Sequence, residues 1–99
     1  MYVVVQHSIK DQSIAFDRGR KLMVGEGAPA SARVLQFLPS VDGSAVTCLW
    51  ESASVSSVQV YVDAVLGDSS DNVCYPVDAE HAFADAPTEL GASPAPALV

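Results

Sequence analysis

The stretch 32-ARVLQFLPSVDGSAVTCLWES-52 decides the fold. Asp42-Gly43 is a strong signal for a two-residue hairpin, because both central positions of a type I′ turn need positive φ. With that turn, Leu35 faces Trp50, Phe37 faces Cys48 and Pro39 faces Val46, all on one apolar face. The other face pairs Val34 with Glu51, Gln36 with Leu49 and Leu38 with Thr47, and is mixed. A sheet with one oily and one mixed side takes helices on the first and something partly polar on the second.

Working outward, residues 2–9 (YVVVQHSI) carry the β-propensity of Tyr, Val and Ile and predict a strand. Asp11 is placed to cap a helix over about 12–24, with Ile14, Ala15, Leu22 and Met23 as its apolar stripe. Gly19 weakens that helix in its middle. GEGAPA (25–30) then stops it, with Gly25 free to take a left-handed cap and Pro29 barring continuation. Ser54 caps a second helix, in which Val55, Val58, Val62, Val65 and Leu66 fall at helical spacing before Gly67. DSSDN (68–72) reads as a loop and NVCYPVD (72–78) as a last strand, which Pro76 marks as an edge.

The order β-α-β-β-α-β is the ferredoxin-like split βαβ arrangement. Right-handed crossovers put both helices on one face of an antiparallel sheet of order 4-1-3-2. The mixed face then needs a cover, and a second copy of the chain is the expected one, with Val34, Leu38 and Leu49 as its apolar share. Residues 1–83 are expected to form a single domain, and the Ala- and Pro-rich segment 84–99 a flexible tail.

Composition narrows the function. Ninety-nine residues, 49% of them hydrophobic, suffice for one core, and a net charge of −7 with pI about 4.3 argues against nucleic-acid binding. The cations Lys10, Arg18, Arg20, Lys21 and Arg33 gather in the first third and read as a solvated helix face. MYVVV lacks the charged start and length of a signal peptide, and no run is long enough to span a membrane. Two cysteines in no paired motif fit a reducing compartment, so a cytoplasmic location is expected.

His7 shares the parity of Val3, Val5 and Ile9, the helix-covered side, and Cys48 lies on the corresponding side of the neighbouring third strand. An imidazole and a thiolate on adjacent strands can share zinc or nickel, with a third ligand from a loop, a partner subunit or a carboxylate such as Glu51. The plainer reading of His7 is a strand-end histidine bonded to a loop carbonyl, and that of the cysteines is small buried hydrophobes. Cys74, on the parity opposite Val73, Tyr75 and Val77, is expected to point away from the core, so a disulfide with Cys48 is not expected. Asp78, Glu80 and His81 resemble a metal box but are explained as well by an exposed chain end, and DSSDN lacks the glycine and glutamate of a calcium loop. No nucleophile elbow, phosphate loop or dinucleotide fingerprint is present. Trp50 reads as a core anchor. On the mixed face, Tyr2, Gln6, Gln36 and Thr47, with Glu51, offer polar handles over apolar ground, which suits either a small ligand or an ordinary interface.

These residues also carry a resemblance. The plan resembles the dimeric α+β-barrel superfamily, and within it the small ferredoxin-like family of a nickel-responsive, nickel-binding protein. The likeness covers about residues 2–80 and rests on the Tyr2-to-His7 run, the hairpin and TCLWES (47–52). It implies a homodimer, with His7, Cys48 and Glu51 as metal ligands. The superfamily also holds cofactor-independent oxygenases. The expected function is therefore a non-catalytic homodimer binding a small ligand or a divalent metal such as nickel. The alternatives are a small dimeric-barrel oxygenase or isomerase acting on an apolar substrate, or a structural module.

Overall fold

The computed structural model describes residues 1–94. Strand β1 (Tyr2–Ile9) leads to helix α1 (Gln12–Val24), the hairpin β2 (Arg33–Pro39) and β3 (Ala45–Glu51), helix α2 (Val55–Leu66), a 3-10 turn (Gly67–Ser69) and strand β4 (Ser70–Pro76). The antiparallel sheet has the order β2-β3-β1-β4, as the βαββαβ reading requires. Both helices pack on one face. Val3 and Val5 of β1 and Val46, Cys48 and Trp50 of β3 meet Leu22 of α1 and Val58, Tyr61, Val62 and Leu66 of α2. Among the described residues, no helix is long and apolar enough to cross a membrane.

The helix ends follow their caps. The Asp11 carboxylate accepts from the Ile14 amide, and Gly25 closes α1 at φ 75°. Ser54 caps α2 through the Ser57 amide. At the other end of α2, the Arg18 guanidinium donates to the Leu66 carbonyl at 2.9 Å. One of the clustered cations thus satisfies a helix terminus and sets a positive charge against its partial negative end.

The hairpin keeps its expected register near the loop, with Phe37 opposite Cys48 and Pro39 opposite Val46. Two details differ. The loop is wider than a two-residue turn: the Ser40 amide donates to the Ala45 carbonyl, and only Gly43 of the Asp42-Gly43 pair takes positive φ. Asp42 instead serves as an acceptor for the Ser40 and Ser44 hydroxyls and the Ser44 amide, bonds that pull its carboxyl down to about 2. Further along, a bulge falls between Val34 and Gln36, so Val34 rather than Leu35 opposes Trp50, and Arg33 opposes Glu51. β2 is an edge strand, where an extra residue disturbs one ladder only. The slip carries Val34 to the core face and brings Arg33 within 3.5 Å of the Glu51 carboxylate.

The last strand corrects the sequence reading in extent and parity. It begins at Ser70, inside the supposed loop, and ends at Pro76. Cys74 packs against the core while Val73 stays 61% exposed. Hydrophobicity favoured Val73 and Tyr75, but α2 presents Gln59 and Asp63 to this strand, and those groups need polar partners. Gln59 supplies the bonds, accepting from the Cys74 amide and donating to the Asn72 carbonyl. Residues 84–94 run exposed beside β2, and a groove of about 580 Å³ lies between Gln36 and Leu38 of β2 and Leu90 of this segment. The rest of the expected tail lies outside the described residues.

Candidate functional site

Alternation along β1 sends Val3, Val5 and His7 to the helix side, and His7 is 4% exposed. Its Nδ1 lies 2.6 Å from Asn72 Oδ1 on β4, the residue directly opposite in the ladder. The partner is a side chain, not the loop carbonyl expected of a strand-end histidine. Asn72 is itself held from three sides. Its Oδ1 accepts from the Ser70 hydroxyl at 2.7 Å, its Nδ2 donates to Asp63 at 2.9 Å, and Gln59 donates to both the Asp63 carboxylate and the Asn72 carbonyl.

This line fixes the histidine's protonation. A carboxylate only accepts, so the Asn72 amide must turn its nitrogen to Asp63 and its oxygen to His7. His7 Nδ1 is therefore the protonated nitrogen. Burial pushes the imidazole below its ordinary 6.5, partly offset by the Asn72 bond and the charge of Asp63. At neutral pH the ring is uncharged, and Nε2 carries a bare lone pair.

His7 lines a cleft between α1 and the sheet, together with Trp50, Cys48 and Phe37 from the sheet and Phe16, Gly19 and Met23 from α1. The clear space is about 30 Å³, and the walls are almost wholly apolar. That volume takes one or two water molecules. Trp50 is 0% exposed, with its ring set edge-on to Tyr61 at 5.9 Å. Among the described residues, its Nε1–H is the one buried side-chain polar atom without a hydrogen-bond partner. Leaving such a donor unmet costs about 1–3 kcal/mol.

The three expected metal ligands do not converge. His7 and Cys48 share the helix side, but Glu51 alternates to the other face, where it pairs with Arg33. Burial pushes the Cys48 thiol up to about 12 and that of Cys74 to about 11, so both stay protonated at neutral pH. Cys48 and Cys74 both oppose Val5, one on each side of β1, and are free. Asp78, Glu80 and His81 do gather, their ligand atoms within 4.8 Å of one another, but all three are exposed and His81 already pairs with Asp78.

The expected ligand-pocket residues Tyr2, Gln6, Gln36 and Thr47 lie on the helix-free side, with Gln6 directly opposite Thr47. Sequence reasoning missed Asn72, Asp63 and Gln59. The available signal was the pair Gln59 and Asp63, one helical turn apart in an otherwise Val-rich helix. Comparison with protein-family models, curated proteins and solved structures finds no match.

Proposed function

We propose that the chain is a non-catalytic binding protein that takes up a small, predominantly apolar molecule in the cleft between α1 and the sheet. The observation that carries this reading is the almost wholly apolar cleft itself, lined by the buried His7 and by Trp50, whose Nε1–H is left without a hydrogen-bond partner. Apolar walls with one or two fixed polar groups are what small-molecule sites are made of. The clear space is small, so entry of a larger molecule requires the mouth to widen. Phe16, 38% exposed, and the unbranched Met23 are the side chains able to turn outward. Gly19, a poor residue for the middle of a helix, keeps that wall bare.

The helix-free face is proposed as the contact in a homodimer. It carries Val4, Leu38, Leu49, Val73 and Tyr75, and the Arg33–Glu51 pair at its margin is neutral as a unit. On a chain of net charge −7, a neutral apolar-centred face is where a second copy can approach.

Trp50 is the single tryptophan of the chain and reports directly on the cleft. Titration with small aromatic compounds is expected to shift its emission, and Gly19→Leu, which fills the cleft from α1, is expected to abolish the shift. An unchanged response in Gly19→Leu refutes the site. The bare His7 nitrogen favours one second reading, proton abstraction from a bound substrate, which turnover lost in His7→Gln would establish.

A further inference from the structure

We propose that Gln59 closes the outer edge of β4, and that its withdrawal opens that edge to the β4 strand of a second copy of this chain. This edge is separate from both the cleft and the helix-free face.

The ladder shows which groups the edge offers. β4 runs antiparallel to β1 without a break, from Ile9 opposite Ser70 to Val3 opposite Pro76. The Lys10 amide donates to the Ser69 carbonyl and the Val77 amide to the Tyr2 carbonyl, so the odd-numbered positions turn their backbone groups toward β1. Ser70, Asn72, Cys74 and Pro76 therefore turn theirs outward, and Pro76 has no N–H to offer there. Gln59 takes the middle of the row. Its Nε2 donates to the Asn72 carbonyl at 2.9 Å, and its Oε1 accepts the Cys74 amide at 3.2 Å. Joining the carbonyl of one residue to the amide two places on is what a residue of a parallel neighbouring strand does. Nε2 also donates to Asp63 Oδ2 at 2.9 Å, which holds the side-chain amide in this orientation.

The strand behind Gln59 is suited to pairing. An open edge is a template for another chain, and folds blunt it with bulges, prolines or cover. The β2 edge has a bulge between Val34 and Gln36 and ends on Pro39. β4 has no bulge, so its outward groups keep the regular spacing that a further strand needs. Its single charge, Asp71, is paired with Lys10 at 3.2 Å, and Val73 and Tyr75 stand exposed. A second β4 thus brings no unpaired charge and adds apolar cross-strand neighbours.

The test reads amide hydrogen exchange and sedimentation on the full-length chain. The Asn72 and Cys74 amides both face outward, but only that of Cys74 donates to Gln59. In the wild type, the Cys74 amide is expected to exchange at least tenfold more slowly than that of Asn72, relative to their intrinsic rates. Gln59→Leu is expected to reach at least twice the wild-type mass as concentration rises, with both amides gaining protection in step. Gln59→Ala repeats the reading should the Leu variant fail to fold, and the wild-type comparison depends on neither variant. Equal exchange of the two amides in the wild type overturns the proposal. So does a variant that stays at the wild-type mass, or one that associates while both amides still exchange freely, since that contact lies elsewhere than the edge.

Discussion

The two faces of one four-stranded sheet are built on the same strands and read as opposites. On the covered face Val3, Val5 and His7 of β1 and Val46, Cys48 and Trp50 of β3 are buried, and the single histidine there has a partner that fixes which nitrogen holds its proton. On the open face Tyr2, Gln6 and Thr47 stand in solvent, and the charged pair Arg33–Glu51 sits half exposed at the margin. Polar atoms are abundant where water can serve them. Among the described residues, the side-chain polar atoms from which water is excluded are few and partnered, with one exception at Trp50. A buried donor left unmet costs stability, and a water held in the adjacent cleft would be the simplest partner for it.

The comparison can be broken at its strongest point first. Trp50→Ala should cost about 3–5 kcal/mol in urea unfolding, while Thr47→Ala on the same strand should change stability by less than about 0.5 kcal/mol. Comparable losses would show that the open face is buried in an assembly. Sedimentation measurements on Leu49→Arg, expected to be monomeric against a wild type near twice 10.3 kDa, would then locate that assembly. Asn72→Ala should cost about 1–3 kcal/mol, because it strips partners from His7 Nδ1, the Ser70 hydroxyl and Asp63 together.

The pH dependence sharpens the same contrast. His7 titrates below its ordinary 6.5 in the folded chain because burial disfavours the cation. Between the folded value and 6.5, the unfolded chain binds a proton that the folded chain refuses, so stability should fall as pH drops through that window. Above 6.5 His7 contributes no slope. In unfolding curves collected across this range, His7→Gln should lose the decline that wild type shows. Gly19→Ala should stabilise the fold by about 0.5–1 kcal/mol through helix propensity, since an added Cβ meets only Leu66, at 4.0 Å. The same substitution should weaken ligand uptake, a trade of stability against the bare wall. Least of all, Glu51→Ala should leave any uptake of Ni²⁺ or Zn²⁺ unchanged in calorimetry, because its carboxylate faces away from His7 and Cys48.

How much of this was legible follows from which forces act locally. Strand β1, both helices with their caps, the strand order and the placing of His7 and Cys48 on the covered side came from periodicity and cap chemistry, which neighbouring residues determine. The bulge at Leu35 was not legible, since it depends on Val34 reaching the core opposite Trp50 and on Arg33 meeting Glu51. The parity of β4 was inverted because Val73 and Tyr75 outweigh Cys74 in hydrophobicity. What decides the matter is Gln59 and Asp63 arriving from α2, and no local pattern in β4 records that. The site failed in the same way. His7 was visible, but its proton is assigned by a line of residues that only the folded chain assembles.

The most direct test is ¹⁵N NMR of the imidazole of His7 at neutral pH in the ligand-free protein. A neutral ring protonated at Nδ1 with a bare Nε2 is the result expected from the Asp63–Asn72–His7 line. A ring protonated at Nε2, or at both nitrogens, would contradict it and remove the acceptor on which the cleft's chemistry depends.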